Sequence, residues 1–346
     1  MTDRHRLPRG VAAPMQQHAT YGAACAALGS SAQAYRLTDV RGRIIGAAQI
    51  LVRRWQLVGA GALLSRGPVW APDLSDAHRR AALMSLLGLL RSRFCMLAVT
   101  PDRYGASDPL DESGWLETMT PCSFARLDLG PPPEDMRARM GGKWRNRLVR
   151  AEAGGIRVRH CAMPATADHW LFHREAAQAR ARRYRRLPPA FAVAWCGAGG
   201  MAASRLFTAE QGGRSIAAML FLLHGRGATY HIGWSGAEGR AAGAHNLLLW
   251  QAMLWLRHQG ITALDLDSVD TETAPGLARF KIGSGAEVFR LGATRIAAPG
   301  TRLFAWRMPR GWARARPDPS EAGIEQIPPP HSVKDMPLRG AFSHVR

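Results

Sequence analysis

Between residues 204 and 269 five segments follow one another. "SRLFTAEQ", "SIAAMLFLLHG" and "GATYHIGWSG" read as strands, "AHNLLLWQAMLWLRHQG" (244–260) as an apolar helix stopped by Gly260, and "ITALDLDSV" as a buried strand. The same order has already run once upstream. "AQAYRLTDV", "RIIGAAQILVRRW" and "GALLSRGPVW" read as strands, "LSDAHRRAALMSLLGLLRSR" (74–93) as a helix capped by Ser75 or Asp76, and "FCMLAVTPD" as a buried strand. The two runs share little identity; what repeats is the order of elements. Each is an α/β layout with a mixed, mostly antiparallel sheet flanked by helices. A chain of 346 residues accommodates two such cores. The expected division is an N-terminal segment (1–14), a first domain (15–135), a second domain carrying the site (136–300) and a basic, then proline-rich tail (301–346).

The stretches outside the runs are readable too. "MQQHATYGAACAALG" (15–29) reads as a short helix. "SFARLDLG" is a strand, and "GPPPEDM" a break. The segment after it holds one or two basic helices. There Lys143, Arg147 and Arg150 fall at i, i+4, i+7 on one face, with Trp144, Leu148 and Ala151 on the neighbouring one. Gly154 and Gly155 stop that helix. "IRVRHC" is a strand, "ATADHWLFHREAAQARARRYRR" a helix ending before Pro188, and "AFAVAWCGAGGMAA" a short helix and loop. From about residue 317 the chain reads as an irregular tail.

Charge is concentrated. Of the formal net charge of +20, residues 137–186 supply +11: thirteen arginines and Lys143 against Glu152, Asp168 and Glu175. A second run, Arg302, Arg307, Arg310, Arg314 and Arg316, contains no acid. Such patches attract phosphate, whether of nucleic acid, of nucleotide-linked substrates or of an anionic membrane surface. The densest apolar run, "AALMSLLGLL", is about half of what spans a bilayer. The N-terminus has no apolar signal region, so the expected location is the cytoplasm, with peripheral contact to the inner face of the membrane allowed by the charge. Five scattered cysteines read as free thiols. His231, His245 and His258 lack metal-ligand spacing, so no metal is expected. No phosphate-binding P-loop or Ser-His-Asp order is present.

Two stretches carry chemistry. The strand "ATYHIGWSG" opens through "AEGRAAGAHN" into a helix, and a small-residue loop there leaves backbone N–H groups free to hold an anion. Further on stands "ARFKIGSG". The chain has only three lysines, Lys143, Lys281 and Lys334, and one of them follows Phe280 here. A compact ammonium on a flexible stem reaches a buried oxygen where a planar guanidinium does not fit. The expectation is that a "LARF" turn presents Lys281 to a cleft and that Gly283 and Gly285 let substrate approach the backbone. Asp265 and Asp267 lie at a strand's C-terminal end, where a carboxylate can take a proton from an amine.

Residues 228–285, with "MGGKWRNRLVRAEAGGIRV" and "MQQHATYGAA", resemble the FemA/FemB/FemX-type transferases of the GCN5-related N-acetyltransferase (GNAT) superfamily, over roughly residues 15–300. The resemblance implies two tandem GNAT-like domains. It implies an amide-forming transfer of an acyl or aminoacyl group, from acyl-CoA or aminoacyl-tRNA as co-substrate, to an amine. The family's acceptors are phosphate-bearing precursors of the cell envelope, notably of peptidoglycan. Lys281, beside Phe280, matches the lysine proposed to steady charge during transfer. Arg180 (or Arg183) with Tyr184, Tyr230 and Lys143 match an acceptor grip. Arg240 and Gly243, followed by Ala244 and His245, are spaced like the start of a CoA-pyrophosphate loop. A monomer with no bound cofactor is implied. The competing expectation is a non-catalytic module that binds nucleic acid or phosphate on a degenerate transferase fold.

Overall fold

The computed structural model describes residues 10–301, apart from 58, 112 and 185, and residues 323–328. Helix α1 (Ala19–Ala27) leads into β1 (Ser31–Thr38), β2 (Ile44–Trp55), β3 (Gly59–Ser65), the short β4 (Val69–Trp70), α2 (Asp76–Arg93) and β5 (Met96–Thr100). Then come β6 (Leu116–Met119), β7 (Ser123–Asp128), α3 (Pro133–Ala138) and α4 (Gly142–Ala153). The second run is preceded by β8 (Arg157–Cys161), α5 (Trp170–Arg182) and α6 (Pro189–Gly199). It comprises β9 (Ser204–Gln211), β10 (Arg214–His224), β11 (Gly227–Ser235), α7 (Ala237–Ala241), α8 (Ala244–His258) and β12 (Ala263–Val269). Helix α9 (Pro275–Gly283), β13 (Glu287–Arg290), β14 (Thr294–Ala297) and β15 (Gly323–Ile327) follow.

Local chemistry accounts for the helices that matter here. Ser75 caps α2 by accepting the His78 N–H, and Ala82, Leu83, Leu86, Leu87 and Leu90 bury one face. In α4 the buried set is Trp144, Leu148 and Ala151, while Lys143, Arg147 and Arg150 are exposed, as the spacing predicts.

The strands form two sheets, ordered β6-β14-β5-β3-β2-β1-β15 and β13-β7-β12-β11-β10-β9-β8, with β4 beside β2. The two orders correspond position by position. The parallel pairs are β3 with β5 and β11 with β12; the other pairs are antiparallel. The duplication is therefore an arrangement in space and not only an order along the chain.

The halves also exchange strands. β7 follows β6 yet lies in the second sheet between β12 and β13, and β14 follows β13 yet lies in the first between β5 and β6. Sheet membership thus crosses the divisions expected at 135/136 and 300/301. The chain after residue 317 is not wholly irregular, because Gly323–Ile327 pairs with β1. The arginine run 302–316 lies outside the described residues. No helix among the described residues is long and apolar enough to cross a membrane.

Two seams join the halves. Buried Gln17 donates to the carbonyls of Gln49 and Ser65 and accepts the Gln49 N–H, which fixes the "QQ" segment to the first sheet. Next to it Met15 and Ala24 pack against Phe191, Trp195 and Leu222 of the second half. At the other seam Arg66, after β3, meets Asp265 of β12 at 2.5 Å, both 4% exposed. The Arg66 guanidinium also lies 4.6 Å from the Phe124 ring centroid.

Candidate active site

The site begins with a split in the second sheet. β11 pairs with β12 only through Gly227–Thr229 and Ala263–Asp265, although the strands continue to Ser235 and Val269. Both carry a bulge where they part. The β10–β11 register shifts around His231, which lies between the paired residues Tyr230 and Ile232, and the β12–β7 register shifts between Asp265 and Ser268. A bulge bends its strand and increases its twist, so two bulged neighbours diverge. Asp267, inside the second bulge, has φ 67°, an uncommon conformation for a non-glycine residue.

The divergence frees donors. Gly236 N–H bonds Ile216 O, and Ser235 and Gly233 stand opposite Ala217 and Met219. By the alternation of an antiparallel ladder, the N–H groups of Gly233 and Ser235 then point away from β10, towards the split. Their carbonyls are taken by side chains from outside the sheet: Gln178 donates to Gly233 O at 3.0 Å and Arg240 to Ser235 O at 2.6 Å.

Aromatic and cationic side chains gather around this gap. Tyr230 lies along its own strand, with its hydroxyl where a Gly233 Cβ would be, so a side chain at 233 would have to displace the Tyr230 ring. Burial raises the Tyr230 phenol well above its usual pKa; the nearby Tyr184 phenol adds to this and Arg182 opposes it. His245, at the start of α8, bonds Trp234 O through Nε2 at 2.9 Å. Burial pushes its imidazole down to about 4, with Arg182 and Arg240 contributing, so at neutral pH the ring is neutral and Nε2–H is the donor. Phe280 stands 6.0 Å from both the His245 and Trp144 rings.

The expected site residues are distributed as follows. Lys281 is part of helix α9, not of a turn, because Pro275 opens that helix at its first position. It is 4% exposed and donates to Ser268 O at 2.7 Å. Burial lowers its pKa, and Asp267 and Asp265 oppose that shift. Asp265 is held by Arg66 and accepts the Asp267 N–H at 2.8 Å, while Asp267 is exposed and accepts the Ser268 N–H. Gly283 and Gly285 do allow close approach, but of the chain itself: the Trp144 side chain comes within 3.0 Å of a Gly283 Cβ position, and Arg139 packs on Gly285.

Arg180 and Tyr184 do not share a helical face. α5 ends at Arg182, and Arg183 is left-handed at φ 57°, turning Tyr184 back on the helix. Tyr184 instead accepts from Gln178 at 3.1 Å and donates to Glu175 at 3.4 Å. Arg180 and Arg183 remain exposed, and Lys143 lies on the open face of α4. Gly243 is left-handed at φ 69° and packs against Arg147 O, 3.2 Å from its Cβ position, so α4 approaches the start of α8 closely. Ala244 is buried beside it. Among the described residues no group of three or more His, Cys, Asp or Glu side chains is placed to hold a metal ion.

The sequence pointed away from the Glu175 cluster. Glu175 is 4% exposed, is paired with Arg186 at 3.0 Å, and has its pKa raised by burial. Its isolation as one of three acids in a basic window was the available signal. Gln178, which ties this cluster to Gly233, had none.

Residues 137–281 match the family model described as an acetyltransferase (GNAT) domain. The whole fold is similar to the crystal structure of FemX, with a TM-score of 0.66, 13% identity, and coverage of 83% of this chain and 93% of that one. It is also similar to the C-terminal domain of a putative lysylphosphatidylglycerol synthetase from Agrobacterium fabrum, at 0.51, 13%, 84% and 91%. No curated protein sequence is similar enough to this chain to count as a match.

Proposed function

We propose that this acyltransferase, whose residues 137–281 form a GNAT domain, uses the β11–β12 split to join an acyl or aminoacyl group to an amine. The observation that carries the reading is the pair of Gly233 and Ser235 amides turned into a gap between two bulged strands. Attack of an amine on a thioester or ester carbonyl forms a C–N bond and moves an electron pair onto the carbonyl oxygen. Collapse of that intermediate breaks the C–S or C–O bond and expels the donor's thiolate or alkoxide, which takes up the proton that the amine gives up. Fixed N–H donors aimed at the oxyanion lower the barrier, and removing one such donor typically costs about 100- to 1000-fold in rate. The attacking amine must shed a proton; Asp267, exposed at the mouth of the β12 bulge, is the carboxylate assigned to take it.

Lys281 holds the diverging end of β12 through Ser268 O and places a buried positive charge beside the split. Tyr230, Tyr184 and Arg182 form the acceptor side, and Arg240 with His245 the donor side. The donor is acyl-CoA or aminoacyl-tRNA, and the acceptor a phosphate-bearing amine of the cell-envelope type. The exposed cations Lys143, Arg145 and Arg147 of α4 suit both.

The test incubates the purified protein and an amine-bearing cell extract with labelled acetyl-CoA, longer acyl-CoAs or charged tRNA. Amide product from one donor class supports the reading and names the donor. No product from any donor, together with tight RNA binding, replaces it with the non-catalytic module. Lys281→Met is expected to lower turnover while leaving donor affinity intact; unchanged turnover removes Lys281 from the mechanism.

A further inference from the structure

Two hairpins occupy the same place in the two strand orders and end differently. β10–β11 closes tightly, with His224 opposite Gly227, and Thr262 N–H donates to Arg226 O at its tip. β2–β3 runs on to Trp55 opposite Gly59 and leaves Leu57 at its tip 99% exposed. The Trp55 ring lies over Gly61 and beside the Met96 methyl, and is 39% exposed. Register brings three further segments to this end of the first sheet. β1 starts here, since Ser31 faces Val52, and Leu28 just before it is 45% exposed. α2 ends here, since β5 starts with Met96 opposite Gly61. β14 ends here, with Ala297 opposite Leu97.

The charge at this end has one sign. Arg53 and Arg54 precede the tip, Arg91 and Arg93 close α2, and all four are exposed. The contacts of Arg91 with the Trp115 ring and of Arg93 with Gln326 neutralise neither charge. Residues 28–38, 40–72, 77–101 and 294–301, which supply these segments, contain no Asp or Glu. Glu325 of the edge strand β15 is held by Arg36 at 2.9 Å. The sequence that continues from residue 301, outside the described residues, adds five arginines before its first acid, Asp318. At the opposite end of the sheet Asp39 is present and pairs with Arg43 at 2.7 Å.

Exposed aliphatic and indole side chains among arginines match a lipid surface. Leucine enters the boundary between headgroups and acyl chains, an indole sits at that level, and basic side chains meet the anionic headgroups. Nucleic acid would match the arginines but offers nothing to Leu57. We propose that the β2–β3 tip seats the first half on the surface of an anionic phospholipid bilayer, with Leu57 and Trp55 in the interface and Arg53, Arg54, Arg91 and Arg93 against the headgroups. The seat is peripheral, and its strength comes from apolar burial and charge together. The inference uses no residue of the β11–β12 split and does not depend on the acyl-transfer reading.

Co-sedimentation of the full chain with vesicles tests it, using phosphatidylcholine alone and phosphatidylcholine mixed with phosphatidylglycerol. Leu57→Ser removes the apolar tip, and Arg53→Ser with Arg54→Ser removes two charges. Val40→Ser and Arg41→Ser, in the exposed β1–β2 turn at the opposite end of the sheet, are the matched controls. The expected result is binding to the phosphatidylglycerol vesicles and weak binding to phosphatidylcholine. The partition coefficient should fall about tenfold or more in each tip variant and stay within about twofold in the controls. Added salt should weaken wild type and Leu57→Ser more than the double arginine variant. No binding to the phosphatidylglycerol vesicles at physiological salt overturns the inference, as do tip variants that bind like wild type. Binding of an RNA duplex that needs the two arginines but not Leu57, without vesicle binding, would assign the patch to nucleic acid instead. Dimerisation abolished by Leu57→Ser, without vesicle binding, would assign it to a second copy of the chain. Transfer to a soluble amine should be unchanged in Leu57→Ser, so failure of the membrane seat and failure of the acyl-transfer reading are told apart.

Discussion

The first and second halves share one strand order and part ways at one place. β3 and β5 pair through Gly61–Ser65 and Met96–Thr100, the whole of β5, without a register shift. Their counterparts β11 and β12 pair through three residues and then diverge across two bulges. The first half therefore satisfies its central backbone groups internally and serves as a wall. The second leaves amides turned into a gap. Buried ionisable groups occur in both halves, Arg66, Asp108 and Arg295 in the first, but the buried histidines and the buried lysine are in the second. His224, His231, His245 and Lys281 all belong to the second half, while the first core is built on Tyr35, Ile50, Leu64, Leu83, Leu86 and Leu97.

The largest expected effect is at the seam that makes the two copies depend on each other. Arg66→Met leaves Asp265 buried and unpaired, which is expected to cost about 3–5 kcal/mol in denaturant unfolding, with both halves lost in one transition. Two separated transitions would show that the seam does not couple them. Next, Leu64→Ala in the zipped sheet is expected to cost about 2–5 kcal/mol in stability while turnover per folded molecule is kept, since Leu64 is fully buried on the wall side. A matching loss of turnover would mean that the first half reaches the chemistry.

The pH dependence sharpens the contrast further. His245, held at about 4 when folded, titrates near 6.5 when unfolded, so the unfolded chain binds more protons between these values. Its contribution, on the order of 3 kcal/mol, is present above about pH 6.5 and is lost as pH falls towards 4. Melting temperature measured from pH 7 to 4 should fall, and His245→Gln should flatten that fall. An unchanged slope would place the pH sensitivity elsewhere. Smaller again is Gly243→Ala, which forces a left-handed Cβ against Arg147 O; a loss of about 1–2 kcal/mol is expected in thermal unfolding.

These residues also mark what the sequence could reveal. Periodicity alone placed α2 and α4 and sorted Trp144 from Lys143, because one buried face dictates both. The duplicated order was legible for the same reason. The exchange of β7 and β14 was not, since an alternating strand carries no label for its partner. Nor was the split: "ATYHIGWSG" reads as a continuous strand, and the bulge at His231 is set by neighbours on both sides. "RARRYRR" looked helical to its end, yet Arg183 turns left-handed and sends Tyr184 to Gln178 rather than to Arg180. The "LARF" turn expected around Lys281 is instead helix α9, because a proline opens a helix at its first position.

The central claim is that transfer occurs in the second sheet's split. Gly233→Val tests it most directly, because the added side chain meets the Tyr230 ring and crowds the gap that the Gly233 amide faces. Single-turnover amide formation with the donor that supports wild-type activity should fall about 100-fold or more, while Leu64→Ala, assayed alongside, keeps its rate per folded molecule. A folded Gly233→Val protein that transfers at the wild-type rate would contradict the account and send the search for the site to the other half.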